Sequence, residues 1–460
     1  MVQQKDAAVT LAEHLVKVEF EQIPEAVIDA TKQDILDTLA VAIAGSTAPG
    51  CREVVELLKE LGGKPESTIL GDGAKVPCTS AAQANGTMAH ALDFDDTYDP
   101  GPLHAGVALV PASFAFAEHL GGVSGKELIT AVTLGLDMVS RMGLATIMGL
   151  RGWLLTSIYG YFGSTAACGK LAGLDVENMI NAIGITYSQA AGNNQCIRDG
   201  SLTKRLQPGF AAKAGIISVL MAQKGITGTI NSFDGEFGLY NTYHRGEYDS
   251  AALTADLGTR FEGVNLSFKP WPCCRANQAC IDAALQIVLE HDIHPEDVKE
   301  VLAFVGDHTW EICCNPPEVK RKPRNIVDAQ FSVPFTVATA ILKRKVGIGD
   351  FTPDTIKDPA ILDMASKVKP ELFPEFVIGS ESPAIIDIRT TGGKAYQQRV
   401  EHAKGHPSNP LGTEWLADKF RECALFSAKP LPKENVEKAI EMLTALEEVD
   451  DVSKIIHLVS

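Results

Sequence analysis

Apolar residues recur at helical spacing through about the first 260 positions of the chain. From Ile23 to Ala44, residues Val27, Ile28, Ile35, Leu36 and Leu39 fall on a helical stripe; Pro24 suits a first turn and Gly45 follows the end. Similar punctuation predicts helices over 50–61, 79–96, 105–121, 125–148, 157–172, 175–193, 209–224 and 276–291, many closed by a glycine suited to a C-cap. The pattern changes after Pro270-Trp271-Pro272, where Val301 to Val305 and Ala384 to Thr390 read as strands. Thr391-Gly392-Gly393-Lys394, between alternating segments 384–390 and 395–402, predicts a β-hairpin. Helical spacing returns from Pro432 to Leu446, a tail suited to packing back onto the helical part. The expectation is a mainly α protein of two domains, the second mixing helix and strand, with no internal repeat or long linker.

Composition narrows the function classes. In 460 residues, 45% are hydrophobic and 22% charged, as in a chain that folds throughout. A formal net charge of -17 repels phosphate backbones and anionic lipid, so nucleic acid and membrane surfaces are excluded as expected partners. An anionic substrate then needs a local cluster of cations or helix N-termini. No export signal is read, since Lys5 and Asp6 stand where an apolar leader would begin. The most apolar stretches are short or broken by His104, Pro111 and Asp137, so no membrane span is expected. Ten cysteines, two pairs of them vicinal, read as reduced thiols and point to a cytoplasmic protein.

His90-Ala-Leu-Asp93-Phe-Asp95-Asp96-Thr97 is the most unusual segment. If the helix from Thr79 runs through it, His90, Asp93 and Thr97 share one face, and each acid at that C-terminus costs about 0.3–1 kcal/mol against the helix dipole. A solvated helix end is the bland reading and a functional acid cluster the sharp one. Calcium is not expected, because Tyr98 and His104 replace the Gly and Glu of an EF-hand loop. His104 follows a Pro-Gly-Pro turn, where a proton-transfer residue could face a cleft or a structural histidine could sit. Lys204 and Arg205 precede the predicted helix from Phe210, and Lys269 and Arg275 bracket the start of the helix through Ile281; cations beside a helix N-terminus suit a bound carboxylate, though ordinary surface charge is the competing reading. Gly163 to Lys170 fails the P-loop spacing, and the cysteines lack zinc-site spacing, so no metal is expected. Cys274 is the exception among thiols taken as core, since Arg275 and a helix start could activate it.

The segments His90 to Thr97, Lys204-Arg-Leu-Gln-Pro-Gly-Phe-Ala-Ala-Lys213, Lys269-Pro-Trp-Pro-Cys-Cys-Arg275 and Lys404-Gly-His406-Pro-Ser-Asn-Pro410, in this order, resemble the MmgE/PrpD family over nearly the whole chain. That family includes 2-methylcitrate dehydratase, cis-aconitate decarboxylase and iminodisuccinate epimerase activities. The resemblance implies a homodimer, with a helical domain over 1–263 completed by 408–460 and an α+β lid over 264–407. It further implies an active site between the two domains, with neither metal nor organic cofactor. By motif position, Asp93, Thr97, His104, Lys204 and Lys269 correspond to active-site positions. The chain departs from the family at Leu154-Leu155-Thr156, where relatives often carry His-Pro-Thr, and at Gln207 and Gln278, where they often carry His. Tyr159 and Tyr161 could replace the lost polar contacts.

These activities share carbanion character on a carbon beside a carboxylate. Asp93, His104, Lys204 and Lys269 are the expected catalytic residues: the lysines and Arg275 would hold carboxylates and offset enediolate charge, while Asp93 and His104 move protons. Thr97, Arg275, Cys274, Arg205, Gln207 and Tyr159 are the expected substrate contacts. A lyase on a small di- or tricarboxylate follows, with water loss from a 2-methylcitrate-like acid as first expectation. Epimerisation of a substituted succinate and cis-aconitate-type decarboxylation are the alternatives, and a carboxylate-binding protein that has lost catalysis is the non-enzyme reading.

Overall fold

A computed structural model describes residues 5–147, 152–376 and 382–460. The chain divides into two compact units, one of Met1–Cys196, Leu202–Leu266 and Gly412–Ser460, the other of Ile197–Ser201 and Ser267–Leu411.

Helices Glu25–Gly45, Cys51–Leu61, Gly106–Leu120 and Leu155–Leu171 of the first unit match the apolar periodicity closely. Gly125–Leu144 begins as predicted, on a Ser124/Glu127 capping box; residue 148, the expected end, lies outside the described residues. The rejected P-loop lies inside the Leu155–Leu171 helix. The helix expected over 175–193 stops at Tyr187. From the tail, helix Thr413–Ala424 packs on Glu25–Gly45.

Two boundaries correct the sequence reading. The helix expected over 79–96 spans Cys78–Ala89, so His90, Asp93 and Thr97 do not share a helical face. Asp93 instead adopts φ 55, the left-handed region that Asp tolerates better than most residues, and Thr97 lies in the short strand Thr97–Tyr98. The helix expected from 209 begins at Thr203, which puts Lys204 and Arg205 inside its first turn. Pro208 marks no start. Early in a helix its fixed φ fits, and the bond it forfeits is the one to the Lys204 carbonyl. Gly209 is a packing residue: a Cβ there would lie 2.3 Å from Thr87 Oγ1 and 2.4 Å from the Gln83 carbonyl. Without a side chain at 209, the Thr203–Gln223 helix approaches Cys78–Ala89 closely enough to bring Lys204 to His90.

The second unit holds a four-stranded sheet in the order Val368–Leu372, Val298–Val305, Ala384–Thr390, Ala395–Val400, parallel in the first pair and antiparallel in the others. The predicted hairpin is present, with Ile388 opposite Tyr396. Helices Gln278–Glu290 and Val333–Lys343 share the apolar core of this sheet. Among the described residues no helix is long and apolar enough to cross a membrane. All ten cysteines are buried thiols.

Candidate active site

The loop from His90 to Ala105 links two helices of the first unit and owes its shape to Asp96. The Asp96 carboxylate accepts from the backbone N–H groups of Ala105 at 2.7 Å and Gly106 at 3.1 Å, so it caps the N-terminus of the Gly106–Leu120 helix. Negative charge there is stabilised by the dipole, which reverses the electrostatic cost expected for a continuous helix.

Around this cap the side chains form a continuous chain of contacts. The Lys204 ammonium donates to Asp93 Oδ2 at 2.9 Å and contacts His90 Nε2 at 3.0 Å. Since an ammonium offers no acceptor, His90 Nε2 accepts and its proton sits on Nδ1, 2.8 Å from Asp95 Oδ2. The same Asp95 oxygen lies 2.8 Å from His104 Nδ1, which also donates to the Asp96 carbonyl at 2.7 Å. Two acceptors fix His104 as the Nδ1–H tautomer, leaving Nε2 to exchange a proton. The imidazoles meet edge to face, with centroids 4.8 Å apart. His104 also donates its backbone N–H to Thr156 Oγ1 at 3.1 Å, tying it to the segment where the chain departs from the family pattern.

Burial sets the charges. His90 is held down to about 4 by burial, reinforced by the Lys204 ammonium, so it is neutral near pH 7. Asp96 is pushed up to about 7 by burial and the adjacent Asp95 carboxylate, against the pull of His104 and the Ala105 N–H. Asp34, fully buried, is raised well above the carboxylate range by burial and by Asp96. Behind the loop, Lys419 from the tail lies 2.6 Å from Asp37 Oδ1, donates to the Phe94 carbonyl at 2.7 Å and sits over the Phe94 ring. None of His90, Asp95, Asp96 and Lys419 was among the expected catalytic or substrate-contact residues. The first three lay within the flagged motif, whereas Lys419 gave no local signal.

Not every predicted residue joins this chain. Lys204 does, although the carboxylate offsetting it is the protein's own Asp93. Thr97 Oγ1 donates to Asp99 at 3.4 Å. Arg205 donates to the Pro49 carbonyl at 2.8 Å. Gln207 braces the neighbouring loop, accepting from Asn193 N–H at 2.8 Å and donating to the Asn193 carbonyl at 3.1 Å. Tyr159 is fully buried, its hydroxyl bonded to Thr146 at 2.6 Å and His244 at 2.9 Å.

In the second unit Lys269 is fully buried. The neighbouring Phe268 donates its N–H to the Gly405 carbonyl, and a Cβ on Gly405, at φ +86, would fall 1.7 Å from the Phe268 carbonyl oxygen. Glycine therefore lets the Lys404-Gly405-His406 turn lie against the segment carrying Lys269. Arg275 donates to Ser267 Oγ at 3.3 Å and lines a small cavity with Ser382, Glu401, His402, Ala403 and His406. His406 Nδ1 accepts from the Ser408 N–H at 2.9 Å, so Nε2 carries the proton of the neutral ring. Cys274 contacts the Cys313 thiol, and burial holds Cys313 strongly protonated.

His90, Asp95 and His104 offer donor atoms within 4.8 Å of one another. However, both Nδ1 atoms face Asp95 and the Lys204 ammonium meets the remaining His90 nitrogen, an environment that favours proton exchange over cation binding.

Comparison with known proteins adds two findings. The chain is 25% identical to a cis-aconitate decarboxylase of Aspergillus terreus, with 96% of this chain and 93% of the relative aligned. It is 27% identical to the cis-aconitate decarboxylases of Mus musculus (95% and 90% aligned) and Homo sapiens (94% and 90%). Residues 9–251 match the MmgE/PrpD N-terminal domain and 271–448 the MmgE/PrpD C-terminal domain. With both domain models matched in order across most of its length, the chain belongs to the MmgE/PrpD family.

Proposed function

We propose that the chain is a lyase of small polycarboxylates, acting through proton transfer at a carbon beside a carboxylate, and that its reaction is decarboxylation of cis-aconitate or a close analogue. The observation that carries this reading is the buried chain Asp93–Lys204–His90–Asp95–His104, which joins a cation to a histidine of fixed tautomer. The names of the relatives favour carbon dioxide over water as the group lost. As carbon dioxide leaves, the bonding pair stays on the carbon and spreads into the neighbouring unsaturated carboxylate. Lys204 offsets that charge. His104, with its Nδ1–H held by Asp95, takes a proton from water on Nε2 and delivers it to that carbon, while Asp93 exchanges protons with Lys204 and Thr97 orients the substrate. Lys269 and Arg275 are proposed as carboxylate ligands, and Cys274 as a substrate contact. Gln207, Gln278 and Leu154, at positions where relatives often carry His, favour keeping a second reading, water loss from a citrate-like acid. The same proposal carries a cytoplasmic homodimer.

Turnover of cis-aconitate in D₂O, followed by carbon dioxide release and NMR of the product, tests this. Carbon dioxide with deuterium on the product carbon is expected. Loss or addition of water without carbon dioxide transfers the proposal to the hydro-lyase reading, and binding with neither reaction leaves a carboxylate-binding protein.

A further inference from the structure

A second constellation lies in the first unit, at the far ends of the two helices that carry the acid–base loop. Cys78 opens the Cys78–Ala89 helix, and His119 is near the end of Gly106–Leu120. Each is roughly 16–20 Å along its helix from the end beside the loop, at 1.5 Å per residue. Glu66, just before the hairpin strand Ser67–Thr68, reaches both: its Oε2 accepts from the Cys78 N–H at 3.3 Å and its Oε1 lies 3.2 Å from His119 Nδ1. Cys78 is buried, and one donor atom from each of the three residues lies within 4.8 Å of the others. His119 Nδ1 is buried and makes no hydrogen bond among the described residues, although it faces the carboxylate. The ring stacks on Phe116, which holds that nitrogen in place.

We propose that Glu66, Cys78 and His119 bind one divalent transition metal, zinc in class, with a fourth position open to water. One sulfur, one imidazole and one carboxylate oxygen are a donor set suited to zinc. Tetrahedral bonds of about 2.0–2.3 Å place donors about 3.3–3.8 Å apart, so closing the site takes side-chain movements of about 1 Å. Glu66 and His119 are only partly buried and can make them. Lys64, which holds Glu66 Oε1 at 2.8 Å, is 77% exposed and free to swing into solvent. Binding exchanges the Cys78 thiol proton for the metal and releases that proton to water. The bound ion would clasp the hairpin to both helices, at a site separate from the acid–base chain.

Cobalt(II) titrated into chelator-treated full-length protein, followed by zinc(II), tests this. One equivalent should produce a thiolate-to-cobalt charge-transfer band that zinc abolishes. The sulfur-free His90, Asp95 and His104 set cannot produce such a band. Cys78→Ser should lose it, and His119→Gln should weaken zinc binding by at least the about 10–100-fold typical of losing a supporting group. Absence of the band in the wild-type protein overturns the site, as does an unchanged band in Cys78→Ser, which would assign it to other cysteines. Should Cys78→Ser fail to fold, His119→Gln decides alone: unchanged zinc affinity overturns the proposal.

Discussion

Lys204 and Arg275 each stand at the beginning of a helical segment, and in sequence their surroundings look alike. In the structure they differ. The Lys204 ammonium meets Asp93 and His90, within a buried series of groups that can pass protons. Arg275 bonds a serine and lines a cavity with two stacked histidines, His402 and His406, and with Glu401, itself paired to Arg399. A cation bonded directly to a carboxylate and a histidine suits chemistry, whereas a cation bonded to a serine beside a cavity suits holding an anion. Placement at a helix start does not distinguish these roles; the neighbours do.

Substitution sharpens this contrast most at the first region. Lys204→Ala leaves the buried Asp93 carboxylate without its cation. A stability loss of about 3–5 kcal/mol is expected in urea unfolding, with turnover lost and helical circular dichroism kept. His104→Gln leaves no such charge, so turnover should fall about 10²–10⁴-fold with little change in stability. Equal turnover in His104→Gln would break the assignment of the proton to that ring.

At the second region the effect is smaller and of another kind. Arg275→Ala should raise KM about tenfold, the loss of about 1.4 kcal/mol of binding, while kcat stays within a few-fold of wild type. A fall in kcat at unchanged KM would erase the distinction between the regions.

A further expected effect is on stability against pH. His90 titrates near 4 in the fold and 6.5 in the reference state, so its contribution is present above pH 6.5 and lost as pH falls toward 4. Asp96 works in the other direction. Titrating near 7 instead of 3.8, it contributes fully below pH 3.8 and loses that contribution as pH rises through 7. The slopes oppose each other between pH 4 and 6.5. In Asp96→Asn, urea midpoints should therefore rise more steeply over that range than in the wild type. Parallel curves would mean that Asp96 is ionised in the fold throughout.

Periodicity made the helices and the hairpin legible, because their apolar faces are set by residues a few positions apart. The loop was not legible in the same way. Nothing local says that the helix stops at Ala89 and that Asp93, in the left-handed region, meets Lys204 from over a hundred positions later. Asp95 gains its role only when His104 folds back to it, and Lys419 reaches Phe94 and Asp37 from the tail. Pro208-Gly209 misled because its glycine serves a helix crossing and not a terminus. The motif reading found Asp93, His104 and Lys204, and tertiary contact supplied the groups that orient them.

The oxygen that His104 meets at residue 96 belongs to the peptide backbone. No exchange of one amino acid for another can delete it. Exchanges at residue 96 thus leave that acceptor in place, a built-in tolerance that side-chain acceptors alone would not supply.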